Sequence, residues 1–267
     1  MTIKYSTAQL LDMVNQEAQN MDTFYNAPCV NYSGTTNDPE NEFYTEIISD
    51  YLLNNSVLFN KIQKLSRPNY NVGHNGTTSS PSSNRLEERI ALALFGKYLP
   101  PIGKIIDYQV PLKTVQADDA GKLDLLAFDE ATGVLRLIEL KAPGSDETLL
   151  RSVLEIYTYY KNVDIVNLIK SYGLENKCTK VKICSLFFKD GKQNDEYNTL
   201  HQRPNLFALM HDMNGIDVEL ELLRFTFDDK IDTVGISVGD GTYKIDIVSK
   251  NGSGLNESPA LIEILNY

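Results

Sequence analysis

Two apolar runs, KLDLLAFD at 122–129 and VLRLIELK at 134–141, are separated only by Glu130-Ala131-Thr132-Gly133. That gap is polar and ends in glycine, so it reads as a tight turn. A tight turn joins antiparallel strands and no others. The hairpin also sets its own register. If Glu130 faces Gly133, Asp124 falls directly opposite Glu139.

The flanking sequence extends this unit. RLEERIALALFGKYL, from Arg85, has Leu86, Ile90, Ala93, Leu94 and Leu99 in helical register. Asn84 can cap this helix, with Glu87 at its third position as in a capping box. KIIDYQVPLK (104–113) reads as a strand. Pro143-Gly144 closes the hairpin's second strand. A helix follows from Asp146 to Asn162, with Leu149, Val153, Ile156 and Tyr160 as one stripe, and a second spans Val163 to Tyr172. KVKICSLFFK (180–189) is then a strand that comes after a helical crossover, so it can run parallel to a neighbour. The expected fold class is α/β, a mixed central sheet flanked by helices in the order α-β-β-β-α-β over residues 85–190.

The remainder is placed around that core. Thr7–Met21 reads as a short amphipathic helix, 22–42 as a loop and Glu42–Leu65 as a further helix, giving a helical N-terminal extension over 1–65. Residues 66–84, SRPNYNVGHNGTTSSPSSN, are nearly devoid of apolar side chains and are expected as a flexible connector. The α/β domain runs from 85 to 267. Its β-rich C-terminal additions are a helix near Leu206–Met213 and strands at 218–227, 234–238 and 243–248. Gly239-Asp240-Gly241 reads as a hairpin turn, not a phosphate loop, because no helix follows it.

The opposed acids point to chemistry. Facing residues in an antiparallel pair have Cβ atoms about 4.5–5.5 Å apart, and like charges there destabilise a sheet. A divalent cation between Asp124 and Glu139 would resolve the conflict. Few hard oxygen ligands suit magnesium, which keeps several waters. Lys141, two residues beyond Glu139, lies on the same strand face and reaches the same pocket. Burying these charges without a task is costly.

Bulk features narrow the alternatives. The net charge of −11 counts against a sequence-independent binder of long nucleic acid, though it leaves room for a local basic groove. Cys29, Cys178 and Cys184 form no Cys-x-x-Cys and suggest neither a disulfide framework nor a cysteine zinc site. His74, His201 and His211 lack metal-ligand spacing. The N-terminal MTIKYSTAQLLDMV has no long apolar run, so no signal peptide or membrane span is expected and a cytoplasmic location follows.

From Asn84 to Asp190 the residues resemble the PD-(D/E)XK nuclease superfamily, the restriction-endonuclease-like fold. The match lies in the leading helix, Asp124 in KLDLLAFD and Glu139-Leu140-Lys141. The resemblance implies that Asp124 and Glu139 bind magnesium or manganese, with the Leu140 carbonyl as a further ligand, while Lys141 assists the attacking water. It puts Glu87 and Glu88 forward as the acid of the first helix. Family members often carry a Gln and a Tyr on the helix after the motif; this chain has Glu155 and Tyr159, and the glutamate is a departure. The Pro-Asp pair of the family name is replaced by Leu123-Asp124.

Arg85, Arg89, Lys122 and Arg151 are near in sequence and are expected to grip a nucleic-acid backbone. The expected function is therefore metal-dependent phosphodiester hydrolysis, with DNA favoured over RNA as partner. A homodimer would suit cleavage of both strands of a duplex. The alternative is a catalytically inactive module of the same fold that binds nucleic acid or a protein.

Overall fold

The computed structural model describes residues 4–112, 121–216, 218–226, 231–249 and 261–267. At its centre are β3 (Lys122–Asp129) and β4 (Val134–Leu140). All seven residues of β4 are buried. A strand apolar on both faces belongs in the middle of a sheet covered on both sides. Gly133 turns the chain between the two strands at φ 69°, a conformation that favours glycine. The register runs from Asp129 opposite Val134 to Leu125 opposite Ile138, as the hairpin reading requires.

Around this pair the sheet has the order β1-β2-β3-β4-β5-β6-β9. β1 (Tyr98–Leu99), β2 (Gly103–Pro111), β3 and β4 pair antiparallel with one another in succession. β5 (Lys180–Phe187) runs parallel to β4, and β6 (Glu219–Phe225) parallel to β5. β9 (Ile262–Leu265) closes the far edge antiparallel to β6. β7 (Ile231–Gly239) and β8 (Thr242–Ser249) form a separate hairpin, as the glycine turn predicts.

Helices cover both faces. Leu126, Phe128, Leu135 and Leu137 pack in one apolar cluster with α1 (Thr7–Glu17), α2 (Tyr44–Asn54), α4 (Leu149–Asn162) and α7 (Pro204–Ile216). Leu125, Ala127, Ile138 and Leu140 face the other way, towards α3 (Leu86–Leu94), β7 and β8. Short helices α5 (Ile165–Ser171) and α6 (Lys192–Asn198) lie before and after β5. Among the described residues no helix is long and apolar enough to cross a membrane.

Several boundaries differ from the sequence reading. The helix expected over Glu42–Leu65 stops at Asn54, and a 3₁₀ segment, Ser56–Lys61, follows. Asn55 ends it by donating from its side chain to the Tyr51 carbonyl at 2.8 Å, a local competition that asparagine often wins. The capping box on α3 does not form. Arg85 is the N-cap, without a side-chain bond, because Glu87 is used elsewhere. β1, α6 and β9 are too short or too polar to show a period.

Residues 66–84, expected as a connector, form no helix or named strand but are anchored along their length. Tyr70 is fully buried, and its hydroxyl accepts from Asp164 N at 3.0 Å. His74 Nδ1 lies 2.7 Å from Asp107 Oδ1, and the ring stacks on Tyr108. Thr78 pairs with Tyr243 of β8. The segment then delivers Asn84 and Arg85 to the mouth of a cleft.

Candidate active site

At the open end of the hairpin the ladder stops at Leu125 and Ile138, and side chains take over. Asp124 Oδ2 accepts from Leu140 N at 2.9 Å. Its Oδ1 accepts from Gln109 Nε2, on β2, at 2.6 Å. Asp124 therefore substitutes for a strand carbonyl and is locked to the motif of β4. Continuing the register by one pair puts Glu139 opposite it.

Glu139 and Lys141 are almost completely buried. Lys141 Nζ lies 2.9 Å from Glu139 Oε1, 2.8 Å from Glu155 Oε2 and 2.6 Å from Glu147 Oε2. Its backbone is fixed by a bond from Lys141 N to Leu186 O of 2.8 Å, which continues the parallel pairing beyond β4. Glu155, on α4, accepts from Tyr159 Oη at 2.9 Å, and Tyr159 meets Tyr25 Oη at 3.2 Å. α4 is aimed at this cluster by its N-cap, Thr148, whose hydroxyl accepts from Arg151 N at 3.1 Å.

Electrostatics in this cluster are unbalanced. Burial pushes Asp124 up to about 7, and the charges of Glu87 and Glu155 add to that, against the Leu140 N–H and the Lys141 ammonium. Glu139 is held well above the usual carboxylate range by burial, then by Asp124 and Glu155, with Lys141 opposing. Burial pulls Lys141 down, but Glu139, Glu155 and Glu147 outweigh it and hold the ammonium well above its ordinary value. Glu87 is raised by burial, with Lys141 and the Ala142 N–H opposing.

The donor set fits a hard divalent cation. Glu139 Oε2 is buried and has no hydrogen-bond partner. An orphaned carboxylate oxygen beside a second carboxylate is a large electrostatic cost without a cation. Among the described residues no three His, Cys, Asp or Glu side chains are arranged to enclose a metal. The candidate is an acid pair, which suits an ion that keeps its own waters. Leu140 stands between the two acids with its N–H given to Asp124.

Asp124 lines a cleft of about 430 Å³ together with Arg85, Glu87, Glu88 and Gln109. Glu87 joins the site: its Oε1 accepts from Ala142 N at 3.0 Å, pinning α3 to the end of β4. Glu88 is more exposed and lies 3.6 Å from Arg85 Nη1. Lys122 is exposed at the start of β3. Arg151 meets Glu147, with Nε 3.1 Å from Oε1. Arg89 is turned towards the second hairpin, where its guanidinium donates to the Thr233 carbonyl and ties α3 to β7.

Sequence reasoning brought Asp124, Glu139 and Lys141 together and named Glu155 and Tyr159. It missed Gln109, Tyr25 and Glu147. The polar Gln109 within a strand run was an available signal. Tyr25 sits outside any periodic segment and gave none, and Glu147 falls in the helix expected from Asp146, whereas α4 starts only at Leu149. Comparison of the chain with family models, with curated proteins and with solved structures gave no match.

Proposed function

We propose that this chain is a metal-dependent nuclease with a restriction-endonuclease-like core, hydrolysing phosphodiester bonds of nucleic acid, DNA in preference to RNA. The observation that carries the reading is the locked, buried pairing of Asp124 with the Glu139-Leu140-Lys141 segment at the foot of an open cleft. The element order, α3 then β2, β3, β4, α4 and β5, supports the same core.

Asp124 and Glu139 would hold magnesium or manganese, with the Leu140 carbonyl as a further ligand. The ion would supply Lewis acidity at the phosphate and a water more acidic than bulk. The protein's own groups do the rest. Lys141 places a fixed ammonium next to Glu139, where it stabilises negative charge that develops on the phosphate oxygens. Glu87, with its proton affinity raised by burial, stands at the lip of the cleft and can take the attacking water's proton. Arg85 and Lys122 offer exposed cations for the flanking backbone. In this reading the protein is cytoplasmic, and a homodimer would present two such centres to a duplex.

One observation favours the binding-module reading. Three carboxylates stand against the Lys141 ammonium, which donates hydrogen bonds to Glu139 and Glu155 and is ion-paired with Glu147. An ammonium enclosed by three carboxylates is spent on the protein rather than on a water.

The test is cleavage of supercoiled plasmid and of short single-stranded DNA with magnesium or manganese, against chelator and Glu139→Ala controls. The nuclease reading expects metal-dependent cleavage that the substitution abolishes. Nucleic-acid affinity that survives chelator, with no cleavage of either substrate, supports the binding module instead.

A further inference from the structure

The loop between β4 and α4 holds Glu147, whose carboxylate bridges two cations. Its Oε2 lies 2.6 Å from Lys141 Nζ and its Oε1 lies 3.1 Å from Arg151 Nε. Arg151 is steadied from the other side by Asn26, whose Oδ1 accepts from Nη2 at 3.1 Å. The backbone at 147 is fixed, since the fully buried Gln193 donates to its carbonyl at 2.8 Å. The side chain of Glu147 is 24% exposed. Its Oε2 is buried and takes no hydrogen bond, so ion pairing alone holds that oxygen against Lys141.

A carboxylate with one oxygen on each of two cations occupies the place that two non-bridging oxygens of a phosphodiester would take. The carboxylate and the phosphodiester each carry one negative charge. Exchanging one for the other leaves the local charge unchanged. Lys141 keeps Glu139 and Glu155 in the exchange, so its burial stays compensated.

We infer that Lys141 and Arg151 form a backbone-phosphate subsite, and that Glu147 holds it closed until a nucleic-acid phosphate displaces it. This rests on the nuclease reading for its ligand class. It also answers the enclosure of Lys141: Glu147 Oε2, ion-paired with the ammonium but without a hydrogen bond from it, belongs to the carboxylate that leaves. A tethered carboxylate competes at high effective concentration. A polyanion that also meets Arg85 and Lys122 therefore displaces it more readily than a small anion does.

The test is fluorescence anisotropy of a fluorescein-labelled single-stranded DNA oligonucleotide in chelator, where cleavage cannot occur. The proteins are the wild type, Glu147→Gln, Arg151→Ala and the double variant, each checked for folding by thermal unfolding. Glu147→Gln keeps the shape of the side chain and removes its charge. It should bind on the order of tenfold tighter, the scale of one charge contact, with a salt dependence steeper by about one phosphate contact. Adding Arg151→Ala should remove most of that gain. Equal affinity of wild type and Glu147→Gln, a gain that survives Arg151→Ala, or no binding by any of the four overturns the inference. A gain in a protein that never cleaves with metal keeps the subsite and sinks the nuclease reading. Cleavage by the wild type without a gain in Glu147→Gln does the reverse.

Discussion

A carboxyl such as Asp124, buried against a second carboxyl, keeps its proton to about pH 7. Its folded value lies above the 3.8 of the free group, so the folded state binds the proton more tightly. Stability from this group is full below the free value and is lost as pH rises to about 7. Thermal unfolding in chelator should show that loss, and Asp124→Asn should remove the corresponding slope. Glu139→Gln relieves the opposed charges and should stabilise the metal-free protein by about 1 kcal/mol, while abolishing cleavage. Lys141→Met does the opposite. It leaves Glu139 and Glu155 without their cation and Glu147 with Arg151 alone, and should cost roughly 3–5 kcal/mol in denaturant unfolding. A Lys141→Met protein as stable as the wild type would mean that this ion cluster is not formed.

Strands and helices were readable where a period is enforced by burial. The β3–β4 register followed from one turn, because a slip by a single residue would turn Asp124 and Glu139 away from each other and invert both apolar faces. The two acids could therefore be paired from sequence. The surroundings could not. Glu87 looked like a capping residue, and only the fold shows it spent on Ala142 N. Glu147 falls within the helix that the sequence predicts from Asp146, but Thr148 caps α4 at Leu149 and leaves Glu147 in the preceding loop. Gly121 shows the same limit: a β-carbon there would stand 2.1 Å from Tyr159 Oη. Gly121→Ala should disturb the Tyr159–Glu155–Lys141 chain and lower cleavage with little change in far-UV circular dichroism. Thr148→Ala removes the cap of α4 and a bond to Val30 O of 2.8 Å. It should cost about 1–2 kcal/mol in chemical unfolding.

At the scale of the molecule, the N-terminal helices are part of the core that supports the site. Leu10, Val14, Phe24 and Ile48 share one apolar cluster with Leu126 and Leu137 of the sheet and Leu150 of α4. Tyr25 reaches the Lys141 cluster itself through Tyr159 and Glu155. The sequence showed 1–65 as helical but gave no contact for it, since an amphipathic stripe names a buried face and not its partner. A chain starting at Arg85 should expose that face of the sheet and aggregate or unfold, as read by solubility and circular dichroism. Beneath this layer, Asp124 and Glu139 form the proposed cation site. Titration of manganese into the nucleic-acid-free protein, followed by electron paramagnetic resonance, tests it most directly. The wild type should bind saturably, and Glu139→Gln and Asp124→Asn should both lose that binding. Binding that neither substitution weakens, or no binding by the wild type, would contradict it.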